Sequence, residues 1–194
     1  MFLKVAGRRC LVVGAGAEGE SKIAHLLQAQ AKISVVSPEG TEAVRSWARR
    51  RKIRWHRRKY RRSDLKGVYL VVAATSSPKT HKEIYREAQR RGILCNVADV
   101  PPLCDFYFPA VVRRGPLVIA ISTSGQSPAL AQRLRKQLQV QFGEEYERWI
   151  KYLGKARKKL LAEPMGLNER KALLHQMASN EAFESYLRLR ARKR

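Results

Sequence analysis

Through the first hundred residues, short apolar runs alternate with segments of helical periodicity. Residues 10–13 form a continuous apolar run, the pattern of a strand covered on both faces. Residues 17–30 place Ile23, Leu26 and Leu27 on one face of a helix. A second strand is predicted at 33–36, a helix at 41–52 with Val44 and Trp47 on one face, and a short strand at 53–55. Residues 68–73 read as a strong strand, 78–91 as a helix that Gly92 stops, and 93–97 as a further strand. Strands separated by helices of this length predict an α/β architecture, a parallel sheet with crossover helices.

The pattern changes near residue 105. Residues 106–112 and 117–122 are two strand-like runs joined by Arg113-Arg-Gly-Pro116, which is hairpin or meander chemistry. Ser127 then caps a helix that has Pro128 at its first position. From Glu144 onward the chain reads as helices, with apolar stripes Tyr146/Trp149/Ile150/Leu153, Leu173/Leu174/Met177 and Phe183/Tyr186/Leu187. There is no internal repeat.

Between the first strand and the first helix lies Gly14-Ala-Gly-Ala-Glu-Gly19, a G-x-G-x-x-G turn. In this setting the first glycine permits the tight turn, the second lets backbone approach a pyrophosphate, and the third lets helix and strand pack closely. The helix N-terminus offers free N–H groups to the phosphates. The alternative is a tight strand-to-helix turn that holds nothing. The acidic residue usual at the end of the second strand is missing, so Glu39 or Ser37 is the candidate for the ribose hydroxyls. No arginine directly follows that strand to receive a 2′-phosphate, the nearest being Arg45, so NAD is expected rather than NADP. Thr75 lies at the carboxyl edge of the sheet, where ligands of open α/β sheets collect.

Charge enlarges the question. Lys and Arg number 40 against 16 acids, a formal net charge of +24, which favours an anionic partner beyond the cofactor or else cations spread over solvated faces. The densest run, residues 45–66, holds 12 basic side chains and one acid, Asp64, with Trp47, Trp55, His56 and Tyr60 interleaved. Such a run is either the solvated face of a helix and an edge strand or a nucleic-acid surface. Cys10, Cys95 and Cys104 lack C-x-x-C spacing, and two fall in strands, as expected of reduced thiols in a cytoplasmic protein. His25, His56, His81 and His175 show no metal-ligand spacing, so no resident metal is expected. The amino-terminal apolar run is too short for a signal peptide, and none approaches a membrane span.

Asp99, just past the 93–97 strand, stands where a carboxylate could accept a proton as hydride leaves a neighbouring carbon. The alternative is an acid that satisfies backbone donors before Pro101 and Pro102. Asn96 beside it is a candidate to orient either the loop or a substrate.

Five segments in order, Arg9-Cys-Leu-Val-Val-Gly-Ala-Gly16, Ala73-Ala-Thr75, Asn96-Val-Ala-Asp99, Phe108-Pro-Ala-Val-Val-Arg-Arg-Gly-Pro-Leu117 and Ile121-Ser-Thr-Ser-Gly-Gln-Ser-Pro128, resemble the siroheme-synthase dehydrogenase family. Its members are precorrin-2 dehydrogenases, some also sirohydrochlorin ferrochelatases. The resemblance spans roughly residues 1–140 and implies a Rossmann-like NAD-binding domain over 1–112, an α+β dimerisation segment over 113–143 and a helical C-terminal domain over 144–194. It implies NAD-dependent oxidation of precorrin-2 to sirohydrochlorin by a cytoplasmic homodimer of the stand-alone type; metal insertion is a second activity of some members only, and nothing in the sequence decides it here. Asp99 corresponds to the family's essential aspartate. Gly14, Gly16, Ala17, Glu18 and Gly19 correspond to its glycine-loop contacts, with Ser37, Pro38, Glu39 and Thr75 as further cofactor candidates. Thr123 stands where some members carry a serine.

A tetrapyrrole ringed by acetates and propionates also gives part of the positive charge a reason. Asn96 and the loop residues Ser122, Thr123, Ser124, Gly125 and Ser127 are candidates to hold those carboxylates. The competing expectation is a Rossmann-type NAD-sensing module that binds nucleic acid through its basic surface.

Overall fold

The computed structural model describes residues 2–191 and divides into two compact units, residues 2–108 and 109–191 of the described chain. The first is built on five parallel strands: β1 (Arg9–Val13), β2 (Lys32–Val36), β3 (Arg54–His56), β4 (Leu70–Ala73) and β5 (Leu94–Val97). Their order is β3-β2-β1-β4-β5, so the chain reverses direction across the sheet between β1 and β4. In such sheets a crevice opens at the carboxyl ends of the strands at that reversal.

Side chains alternate across β1 as the two-residue period requires. Cys10 and Val12 join Ile33, Val35, Leu70 and Val72 in one core, under Ile23 and Leu26 of α1 (Ala17–Gln28) and Val44 of α2 (Glu42–Arg49). Leu11 and Val13 join Val71, Ala73, Cys95 and Val97 in the other, under Ile84 and Ala88 of α3 (Pro78–Arg90). Burial on both faces explains why these strands read as unbroken apolar runs. It also pushes the Cys10 thiol up to about 11 and the Cys95 thiol up to about 12, so neither is a ready nucleophile.

Both early helices end sooner than their periodicity suggests. At α1, Gln30 takes φ +58° and the N–H of Ala31 bonds to the carbonyl of Leu26. At α2, Arg51 takes φ +54° and the N–H of Lys52 bonds to the carbonyl of Trp47. These are left-handed C-terminal caps made without glycine, so the residue that usually announces the stop is absent. Gly92 supplies the same cap conventionally after α3.

The edge strand β5 is closed by its own continuation. The Asp105 carboxylate accepts from the N–H of Cys95 at 2.8 Å and from the Gln89 amide, while the N–H of Asp105 donates to the Cys95 carbonyl. Asn96 is buried, and its amide donates to the Phe106 carbonyl at 2.8 Å. Phe106 and Phe108 then pack on the first core instead of entering a strand.

The second unit opens with the antiparallel hairpin β6 (Ala110–Arg114) and β7 (Leu117–Ile121). Arg113 and Arg114 belong to the strand, and the loop is only Gly115-Pro116, with Gly115 at φ +54° in the place two-residue hairpins give to glycine. A boundary at 112 would therefore cut β6. Of the segments expected at 113–143 and 144–194, the described residues fall in one compact unit, because the hairpin is tied to the helices that follow. Arg114 donates to the Phe142 and Gln139 carbonyls at the end of α4 (Pro128–Gln141). Trp149 of α5 (Glu145–Ala162) is buried against Phe183 and Tyr186 of α7 (Asn180–Ala191). Between them runs α6 (Leu167–Met177), whose Arg170 donates to the Leu160, Glu163 and Met165 carbonyls and so caps the end of α5. Among the described residues no helix is long and apolar enough to cross a membrane.

Removing the Asp105 carboxylate strips the buried Cys95 N–H of its partner. Asp105→Ala should lower stability by about 1–3 kcal/mol, read as a lower urea midpoint with unchanged slope.

Candidate functional site

A cleft of about 880 Å³ opens at the carboxyl edge of the sheet and spans the ends of β1, β2 and β4. Gly14, Gly16, Ser37, Pro38, Glu39 and Thr75, all anticipated as cofactor residues, line it together. The three glycines divide the work. Gly14 has φ +101°, and a Cβ there would overlap the Ala74 carbonyl oxygen and lie 2.6 Å from its carbon. A Cβ on Gly19 would overlap the Gly14 carbonyl oxygen. These two glycines allow the turn to lie against β4 and the helix to lie against the turn. Gly16 differs: its φ is −74°, open to any residue, and nothing lies within 4 Å of where its Cβ would be. Nothing inside the protein needs a glycine at position 16, and the space above it is open cleft.

The start of α1 points the same way. No side chain caps it, whereas α3 is capped by Ser77, whose hydroxyl accepts from the N–H of Thr80. An uncapped helix start beside a bare glycine offers N–H donors and positive potential to an anion. The residues present therefore fit a dinucleotide with its pyrophosphate over Gly16. Ala17 and Glu18 do not line the cleft: both are exposed in the first turn of α1, where Glu18 pairs with Lys22 at 2.7 Å. Gly19 is buried and serves packing. The cofactor contact anticipated at these three positions is thus narrowed to what their backbone can offer.

The far wall of the cleft is the 37–41 loop. It is held by the N–H of Thr41 on the Ala15 carbonyl and by the Trp55 indole, which donates to the Ser37 carbonyl at 3.0 Å. A Cβ on Gly40 would sit 3.0 Å from the Trp55 ring and press on it. The same stretch of wall contains Arg45, Arg58, Lys59 and Tyr60, none of which was anticipated as part of the site. The signal for them was the strand order. Because β3 runs parallel to β2, the residues just after it emerge at the same edge as 37–41. Trp47 and Trp55 of the basic run pack on the first core and Tyr60 on the second. The Tyr60 phenol is pushed up to about 12 by burial and then by Glu83, Glu87 and Asp64, so it remains a donor.

Arg58 is committed within the protein. Its guanidinium grips Asp64 through two hydrogen bonds, of 2.6 and 2.9 Å, and Asp64 also accepts from the N–H of Arg61. Arg58 and that N–H hold the Asp64 carboxyl below its ordinary value.

At the other end of the edge, Ala73 of β4 pairs with Val97 of β5, and the N–H of Ala98 bonds to the Ala73 carbonyl. Thr75 and Asp99 are therefore each two residues past paired positions. Asp99 is exposed at φ +58°, and among the described residues its carboxylate accepts no hydrogen bond and forms no ion pair. Satisfying local backbone donors is not its role. The Asn96 amide nitrogen donates to the Phe106 carbonyl at 2.8 Å and lies 3.4 Å from Cys104 Sγ, contacts that fit the loop-orienting alternative.

In the second unit the Ser122, Thr123 and Ser127 hydroxyls accept from the N–H groups of Ser124, Ser127 and Leu130. Ser124 and Gly125 both take positive φ, +51° and +81°. Among the described residues none of the three hydroxyls donates a hydrogen bond.

Family models place these geometries. One described as "Putative NAD(P)-binding" matches residues 1–110. The chain belongs to this NAD(P)-binding family. A second model, "Sirohaem biosynthesis protein central", matches residues 114–141 of this NAD(P)-binding chain. Siroheme synthase of Nitrosococcus oceani is 35% identical over 171 residues, covering 88% of this chain and 36% of the relative. Siroheme synthase of Methylobacillus flagellatus is 37% identical over 148 residues, covering 76% and 32%. The chain thus spans about a third of the length of these curated relatives. Among solved structures, SirC, a precorrin-2 dehydrogenase, superposes with a TM-score of 0.83 at 27% identity, covering 98% of this chain and 94% of that one.

Two outcomes check the glycine assignment. Gly16→Val should stay folded, within about 1 kcal/mol of the parent, yet lose dinucleotide binding by calorimetry, whereas Gly14→Ala should fail on stability itself. The Asp64 carboxyl, lowered in the folded state, stabilises fully above its unfolded value of about 3.9 and loses that contribution as pH falls through its folded value. The gap in urea midpoint between the parent and Asp64→Asn should therefore close as pH falls below about 4.

Proposed function

We propose that this chain is an NAD-dependent precorrin-2 dehydrogenase, oxidising precorrin-2 to sirohydrochlorin. The observation that carries the reading is Asp99: an unpartnered carboxylate, held in a backbone conformation uncommon for a side-chain-bearing residue, one strand over from the glycine-lined cleft. The likeness to a precorrin-2 dehydrogenase along nearly the whole of both chains supports it.

NAD, when bound, supplies the hydride acceptor. Gly16 admits its pyrophosphate, the start of α1 stabilises that charge, and the 37–41 loop receives the adenosine ribose. Asp99 takes the proton from the macrocycle as hydride leaves the neighbouring carbon, so each oxidation removes one hydride and one proton. Asp105 and Asn96 position the Asp99 loop by closing it against β5. On the second unit, the O–H groups of Ser122, Thr123 and Ser127 are suited to substrate carboxylates.

The same carboxylate is the candidate base for metal insertion, where protons must leave pyrrole nitrogens. The exposed apolar side chains of α4, Leu130 and Val140, favour a homodimer through the second unit. A cytoplasmic setting suits the buried, unpaired Cys10 and Cys95.

The test follows NADH absorbance with precorrin-2 as substrate, then the pigment spectrum after ferrous iron is added. Asp99→Asn should lower turnover by about 10²–10⁴-fold while calorimetry still records NAD binding. Asparagine tolerates positive φ, so the loop is kept. Full turnover in that variant would remove Asp99 from the chemistry, and absence of NADH from the parent would remove the function.

A further inference from the structure

We infer that the second unit carries a docking surface for single-stranded nucleic acid, formed by one face of α5 with Tyr152 as its stacking ring. Every residue lining the cleft belongs to the first unit, so this surface goes beyond the dehydrogenase reading.

The sequence of α5 divides between two faces. Trp149, Leu153, Ala156 and Leu160 recur at three- and four-residue spacing and are buried or half-buried. Arg148, Lys151, Lys155, Lys158 and Lys159 recur at the same spacing on another face, and all five are exposed. At the rise of a helix they extend over about 16 Å. From Arg148 to Ala162 the helix holds six basic side chains and no acid.

Partners inside the protein do not account for this row. Among the described residues, the ion pairs of the second unit are Arg114 with Glu144, Lys151 with Glu147 and Arg188 with Glu184, which take up one cation of the five. The negative end of the helix favours a cation in its last turn, which covers Lys159 and leaves the others unexplained. Like charges at this spacing repel, so the row works against the helix that carries it until an anion covers it.

An aromatic ring selects among anions. Tyr152 follows Lys151 on α5, between Arg148 and Lys155, and is 47% exposed. Its ring stacks on Trp149, with centroids 5.4 Å apart and 19° between the planes, and lies 5.3 Å from Tyr186, over which Arg190 stands. Trp149 is buried, so Tyr152 is an exposed ring on a fixed support. Unpaired bases stack on such a ring while their phosphates meet the cations beside it. A duplex hides its base faces, and an anionic bilayer asks for a broad apolar face next to the cations. The basic run at 45–66 has no equivalent ring, since Trp47 and Trp55 pack on the first core and Arg57 already covers Trp55.

Fluorescence anisotropy of the intact chain, saturated with NAD, tests this with a labelled oligouridine of about 15 nucleotides. Binding is expected at physiological salt with a Kd below about 100 µM, and tighter than to a duplex of the same length. Lys155→Ala, Lys158→Ala and Lys159→Ala together should reduce the slope of log K against log salt by about 2. Tyr152→Ala should weaken binding about tenfold, whereas Tyr152→Phe should keep it. Circular dichroism checks that each variant folds, and the lysine variant, altered only at exposed positions, carries the test if Tyr152→Ala does not. Equal or tighter binding of the duplex overturns the inference, as does an unchanged salt slope in the lysine variant. Polyglutamate or phosphatidylserine vesicles binding as well as the oligouridine would assign the surface to an acidic protein or a membrane instead, and so overturn it too.

Discussion

The cleft depends on how closely the turn after β1 lies against the end of β4. That turn is stitched on both sides: the N–H of Gly14 bonds to the Val36 carbonyl of β2, and the N–H of Ala74 bonds to the Val13 carbonyl. The approach leaves no room for a side chain at Gly14, and the packing of α1 on the turn leaves none at Gly19. Only with both concessions made does the start of α1 arrive at the carboxyl edge with its N–H donors uncapped. Gly16 is then free of any packing duty and borders the open cleft. Two glycines of one motif serve the fold, and the third borders the open cleft.

The parallel sheet extends that arrangement sideways. Every strand delivers its following loop to one edge, so the glycine turn, the 37–41 loop, Thr75, Lys59 and Asp99 come from five loops. They are ordered by strand register, not by sequence distance. The loop carrying Asp99 follows an edge strand, since β5 has a partner on one side only. Asp105 supplies the missing side by presenting its carboxylate and its own N–H to Cys95. A carboxylate used as an edge-strand partner leaves Asp99 itself with nothing to bind, which is the state a proton acceptor requires.

All five strands of the sheet and its three long helices were legible in the sequence, because burial on both faces writes continuous apolar runs and the helices keep clear stripes. Helix ends at Gln30 and Arg51 were not, since both adopt the left-handed conformation without the glycine that marks it. Strand β6 was displaced for a different reason. Phe106 and Phe108 have strand-like composition, but the tie from Asn96 to the Phe106 carbonyl draws them to the first core. In the site, Gly14, Gly16, Ser37, Glu39 and Thr75 could be read from position in a motif. Asp105, Arg58 and Lys59 could not, because their roles arise from pairing partners that only the folded sheet brings together.

The net charge looked like a single property of the chain, and the structure resolves part of it into separate causes. Within the densest run some cations are structural, as Arg58 is in fixing the residues before Lys59 through Asp64. Others pair on the surface, where an exposed ion pair contributes little. Arg57 stacks over the Trp55 ring, covering the side chain that holds the 37–41 loop. What remains at the cleft is small, two uncommitted cations, Arg45 and Lys59, and one uncommitted acid, Glu39. A large total charge says little about specificity until the paired charges are subtracted, and here the remainder lines the cleft wall beside the 37–41 loop.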